Sequence, residues 1–191
     1  MKQQNRTKDF ILKNIIYIAF VIMLIGLSVF AKAFLTSNNL INVLRQATVV
    51  GVLSMGMTYV IISGGIDLSV GSTMALASCI AAAYATTSTA IPLPAALALG
   101  CLAGIAVGLI NGVVVSYLGV VPFIATLGMQ YAVRGVALVY TSGRPINALT
   151  SAYTNIGKAY VGFVPVPVIL FVIIALIAWF FLAKTQFGRY I

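Results

Sequence analysis

This sequence offers few groups that can move protons or hold metals. Among 191 residues there are two carboxylates, Asp9 and Asp67, no histidine, and two cysteines, Cys79 and Cys101. Metal sites and hydrolytic triads are assembled from His, Cys and acidic clusters. Most of that chemistry is out of reach, so we expect no catalytic residue and no metal ligand. The cysteines form no Cys-x-x-Cys pair and lie in apolar stretches, where a thiol acts as a small packing group. What remains is a handful of polar residues in or beside long apolar runs, chiefly Asp67, Ser69, Asn111, Thr126 and Arg134. Their chemistry is hydrogen bonding, the kind that suits a neutral polar solute.

The elements around them must be membrane spans. Hydrophobic residues make up 62% of the chain and charged residues 7%. A soluble domain holds nearer 45–50% apolar residues and could not hide this excess. The net charge of +9 does not indicate nucleic acid, because six of the eleven basic residues sit near the two ends and the rest are scattered instead of clustered on one face. Between Gln46 and Val133 the one charged residue is Asp67. A secretory signal is a poor reading of the N-terminus: the run Ile15–Ala31 exceeds the usual apolar core of about 7–15 residues, and Lys32 sits at the would-be cleavage site.

The apolar pattern predicts an all-α, polytopic helix bundle with about six spans. These cover roughly Ile15–Leu35, Ala47–Ile62, Val70–Thr86, Pro92–Leu118, Pro122–Thr141 and Val168–Ala183. Residues 1–14 form a basic N-terminus, 15–183 the transmembrane domain, and 184–191 a basic tail. Ser37 or Asn38 is placed to cap a short interfacial helix over 40–46. Residues 87–91 are a short turn, and 142–167 a long polar loop with three prolines. Lys2, Arg6, Lys8, Lys13, Lys184 and Arg189 put both ends on the cytoplasmic side of a cell membrane by the positive-inside rule. Segments 36–46, 87–91 and 142–167 are then outside.

Three features stand out within the spans. Ala96, Gly100, Gly104, Gly108, Gly112 and Ser116 recur every four residues, a stripe that lets helices approach closely in lipid; the glycines are expected to pack against a neighbour. Asn111 lies beside it and either bridges helices or faces a polar passage. Next, Ser63-Gly64-Gly65-Ile66-Asp67 interrupts two short spans near 63–72, where glycine permits a reversal. Asp67 there either caps the following helix or contributes to a polar site of the kind that broken helices create. No Gly-Lys-[Ser/Thr] follows, so no phosphate loop is expected. Finally, Arg134 lies inside the fifth span, where insertion costs about 2.5–3.5 kcal/mol. It snorkels, pairs with carbonyls, lines a pathway, or pairs with Asp67.

Read in order, Asn42-Val-Leu-Arg45-Gln-Ala, Gly56-Met-Thr-Tyr-Val-Ile-Ile, Gly64-Gly-Ile-Asp67-Leu-Ser-Val-Gly71-Ser, Asn111-Gly112, Pro122-Phe-Ile-Ala-Thr126-Leu-Gly128-Met, Arg134-Gly135 and Thr185-Gln-Phe187-Gly188-Arg189-Tyr190 resemble the membrane subunit of ABC sugar importers, the ribose/xylose/galactoside permease family. The resemblance covers about Phe34 to Ile191. It implies a permease that lines the passage of a monosaccharide, ribose first among them, with a second permease subunit (a homodimer), an extracytoplasmic sugar-binding protein and cytosolic ATP-binding subunits. ATP and Mg would be bound by those partners, and this chain would hold no cofactor. Candidate pathway residues are Asp67, Ser69, Asn111, Phe123, Thr126 and Arg134. The family's members are longer, so the chain is expected to be the N-terminal part of a permease, ending before the ATPase-coupling loop. The rival readings are a facilitator or ion-coupled carrier, and a permease fragment without function of its own.

Overall fold

The computed structural model describes residues 12–191; the expectations for Lys2, Arg6, Lys8 and most of the N-terminal segment lie outside them. The helices are α1 (Ile15–Phe30), α2 (Ser37–Ile62), α3 (Val70–Ala83), α4 (Leu93–Ser116), α5 (Pro122–Thr141), α6 (Ser151–Lys158), α7 (Val166–Lys184) and α8 (Gln186–Tyr190). A two-residue hairpin, β1 (Tyr160–Val161) against β2 (Val164–Pro165), is antiparallel, with Tyr160 opposite Pro165. Each of the six expected spans contains a helix, the first and third ending short of the expected bounds at Phe30 and Ala83. Four helices, α2, α4, α5 and α7, are long and apolar enough to cross a membrane, whereas α1 and α3 are shorter, at 16 and 14 residues.

The chain divides into two compact units, up to Gln46 and from Ala47 onward, with the boundary inside α2. In the first unit, α1 is followed by a tight turn in which the Asn39 amide donates to Phe34 O at 2.8 Å. Thr36, not Ser37 or Asn38, supplies the side-chain oxygen that accepts from Asn39 N–H, at 3.4 Å. The expected separation of an interfacial helix from the second span is not found: α2 runs unbroken for 26 residues. Nothing from Ser37 to Val50 is Gly or Pro, so the polar start lowers hydrophobicity without stopping the helix.

In the second unit, α3, α4 and α5 pack on one another. Proline sets their starts: Pro94 falls in the first turn of α4, and Pro122 opens α5, where a missing N–H costs nothing. Helix α2 ends at Gly64, whose φ is +82°. Gly64 N–H donates to Ile61 O and Gly65 N–H to Val60 O, at 3.0 and 2.9 Å, a Schellman closure. Helix α5 ends the same way on Ser142 (φ +53°), with Gly143 N–H donating to Leu138 O at 2.8 Å.

The loops at the far ends of these helices are tied together. Thr87 N–H donates to Ala148 O at 2.9 Å, and Thr150 N–H to Ala85 O at 2.8 Å. These two segments were both assigned to one membrane face, and the pairing requires them to share one. The long loop is more ordered than expected, containing α6 and the hairpin, and α7 begins two residues early at Val166.

The small-residue stripe on α4 splits in two. Ala96 and Gly100 are buried. A Cβ on Gly100 would stand 2.7 Å from Ala77 O and 3.0 Å from Ala81 Cβ on α3. Gly108 and Gly112 differ from expectation: a Cβ on either meets no described neighbour within 4 Å, so they make no close packing there. Gly100→Ala is therefore expected to destabilise by about 1–3 kcal/mol through overpacking, and Gly108→Ala to leave stability within about 0.5 kcal/mol. Thermal unfolding in detergent checks the pair.

Candidate functional site

The chain between α2 and α3 leaves helical geometry, and three side chains, Asp67, Ser69 and Thr126, hold it by hydrogen bonds. Asp67 Oδ1 accepts from Ser69 N–H at 2.7 Å and from Ser69 Oγ–H at 2.6 Å. Ser69 Oγ in turn accepts from the Asn111 amide of α4 at 2.9 Å. Thr126, one turn into α5, accepts from Leu68 N–H at 3.2 Å. The Thr126 hydroxyl proton lies between Pro122 O at 2.8 Å and Ile66 O at 3.1 Å. The break therefore reaches about 6 Å, one helical turn, along α5.

Asp67 is not the cap of α3. That position belongs to Ser69, and the Asp67 carboxylate closes an Asx turn onto it. Ser69 is fully buried, and Thr126 and Asn111 nearly so. Asn111 Oδ1 is buried without a hydrogen-bond partner. Asn111 thus does bridge helices, through Ser69. It also lines a pocket of about 350 Å³ with Gly64, Asp67, Gly108, Gly112 and Thr126. The two glycines that make no close packing are the open wall of this pocket.

Arg134 is elsewhere. It makes no ion pair with Asp67 and has no hydrogen-bond or ion-pair partner among the described residues. It lines a second pocket of about 340 Å³ with Leu68, Gly71, Ser72, Gln130 and Tyr131. Phe123 is exposed at the start of α5 and lines neither pocket. The structure thus brings Asp67, Ser69, Asn111 and Thr126 together and leaves Arg134 and Phe123 apart. Ser72, Gln130 and Tyr131 escaped notice in the sequence. The signal was helical spacing, because Gln130 and Tyr131 lie four and three residues before Arg134 and share its face. Among the described residues no group of three His, Cys, Asp or Glu side chains could hold a metal.

Apolar helices of spanning length around a hydrogen-bonded polar break define a multi-pass membrane protein of transport architecture. A family model described as the permease component of branched-chain amino acid transport systems matches residues 39–191, and the chain belongs to this permease family. It is 38% identical over 186 residues to the ribose import permease protein of Haemophilus influenzae, covering 95% of this chain and 57% of the relative. It is 40% identical over 175 residues to the ribose import permease protein of Bacillus subtilis, covering 91% and 54%. The D-allose transport system permease protein of Escherichia coli is 37% identical over 172 residues, covering 90% and 52%. The chain spans little more than half the length of these curated relatives. No solved structure matches it.

Thr126→Val removes both the acceptor for Leu68 N–H and the donor to Ile66 O. We expect a loss of about 1–3 kcal/mol, since buried backbone groups are left unpaired. Thr126→Ser keeps the hydroxyl and should stay within about 1 kcal/mol. Equal losses for both in thermal unfolding would show that the methyl, not the hydroxyl, matters.

Proposed function

We propose that this chain belongs to the permease subunit of an ATP-driven monosaccharide importer, with D-ribose the first candidate. The observation that carries this reading is the likeness to ribose import permeases over 95% and 91% of this chain. The site chemistry supports it. A monosaccharide offers neutral hydroxyls that both donate and accept, and the pockets offer hydroxyl, amide and backbone groups. An amino-acid zwitterion would ask for opposite charges in one place. Here Asp67 is spent on Ser69, and Arg134 lines a different pocket.

In this reading the chain binds no cofactor and does no chemistry. Cytosolic subunits hold ATP and Mg and drive alternation, an extracytoplasmic binding protein delivers the sugar, and a second copy of the permease completes the passage. The chain lies in the cell (inner) membrane with its N-terminus in the cytoplasm. The paired 84–91 and 148–150 segments then face outward, where the delivery protein docks, and the break around Asp67 lies toward the cytoplasm.

The test is uptake of labelled D-ribose by cells that depend on this permease, together with its binding protein and ATPase. Uptake should vanish when the ATPase is inactivated and survive a protonophore. It should be competed by D-ribose and D-allose and not by leucine. Uptake that ignores the ATPase and collapses with the proton gradient would make the chain an ion-coupled carrier instead.

A further inference from the structure

Arg134 and Ser72 share an unusual state. Arg134 is exposed within a spanning helix and unpartnered among the described residues. Ser72 is only 7% exposed, yet its hydroxyl also has no hydrogen-bond partner there. Both line the pocket that Gln130 and Tyr131 complete. A guanidinium at this depth does not face lipid; such groups turn toward a protein partner or a watered cavity. The Ser72 hydroxyl in the same wall is open to this cavity and free to hydrogen-bond an occupant.

We propose that the Ser72–Gln130–Tyr131–Arg134 pocket is a sugar-binding subsite of the passage, distinct from the pocket at Asp67. This rests on the importer reading above. The guanidinium is a planar fork of donors that fits two neighbouring hydroxyl oxygens. The Gln130 amide and Ser72 hydroxyl each donate and accept, which a sugar hydroxyl requires of its partners. Tyr131 adds an apolar ring face for the C–H side of the sugar, with a polar tip. The volume of about 340 Å³ falls at the small end of ligand pockets. In the Asp67 pocket the Asp67 Oδ1 and the Thr126 hydroxyl serve the break, which leaves Asn111 Oδ1 as a buried unpartnered acceptor against the forked donors and amide of the Arg134 pocket.

Two glycines allow the two pockets to be told apart. Gly71 lines the Arg134 pocket and Gly108 the Asp67 pocket. A Cβ on either meets no described atom within 4 Å, so Gly71→Leu and Gly108→Leu each fill one cavity. Membrane vesicles containing the chain are titrated with tritiated D-ribose, with D-ribonate as the anionic competitor and helical content followed by circular dichroism. Gly71→Leu and Arg134→Gln are expected to weaken D-ribose binding about tenfold or more, with Arg134→Lys intermediate and Gly108→Leu weakening it less than Gly71→Leu does. Loss on Gly108→Leu with Gly71→Leu unaffected overturns the proposal, as does D-ribonate displacing the label better than D-ribose. Should the Gly71 variant misfold, Arg134→Gln, an exposed side chain, decides alone. If the folded wild-type chain binds neither D-ribose nor D-allose, the subsite proposal is overturned, whereas the importer reading stands or falls on the uptake experiment above.

Discussion

The architecture depends on one constraint: a peptide chain that leaves helical geometry within an apolar layer must find every hydrogen bond inside the protein. Between Ser63 and Ser69 part of that demand is met by very few side chains. The Asp67 carboxylate closes the turn, Ser69 passes the connection to Asn111 on α4, and Thr126 on α5 serves Leu68 and Ile66. The interruption is thereby fastened to two neighbouring helices, and the positions of α3, α4 and α5 near it follow. A polar break of this kind also brings hydrogen-bonding groups together without a second charge beside Asp67.

The small-residue stripe on α4 shows how far a pattern can be read from sequence. Its i, i+4 spacing correctly marks one helical face, and close approach to α3 is real at Gly100, where a backbone carbonyl occupies the space of a side chain. The pattern is silent on where the neighbour ends. Helix α3 is only 14 residues long, so the face that continues past its start at Val70 loses its partner. Gly108 and Gly112 then look onto a pocket. Spacing reports periodicity, while contact depends on the length of another element.

The same division holds for the rest of the site. Asp67, Asn111 and Arg134 were visible individually because polar groups in apolar runs are conspicuous. Their relations were not: Ser69 and Asn111 are 42 residues apart, and only tertiary packing joins them. Arg134 and Asp67, the two deep charges, invited a pairing that the fold does not make. The continuity of α2 was lost to its polar opening, where composition changed but no helix breaker intervened. Residues 142–167 read as loop because α6 is short and its apolar positions few, although its pairing with the 84–91 turn gives that end of the molecule a defined surface.

The glycines at the two pockets set terms for how such a passage diverges. Gly71 and Gly108 each border an opening without touching a described neighbour, whereas Gly100 is hemmed in by main chain. Methyl groups can therefore accumulate at the first two without disturbing the scaffold. Pocket volume is free to drift by single substitutions while foldability, held at the crowded third position, stays under separate selection.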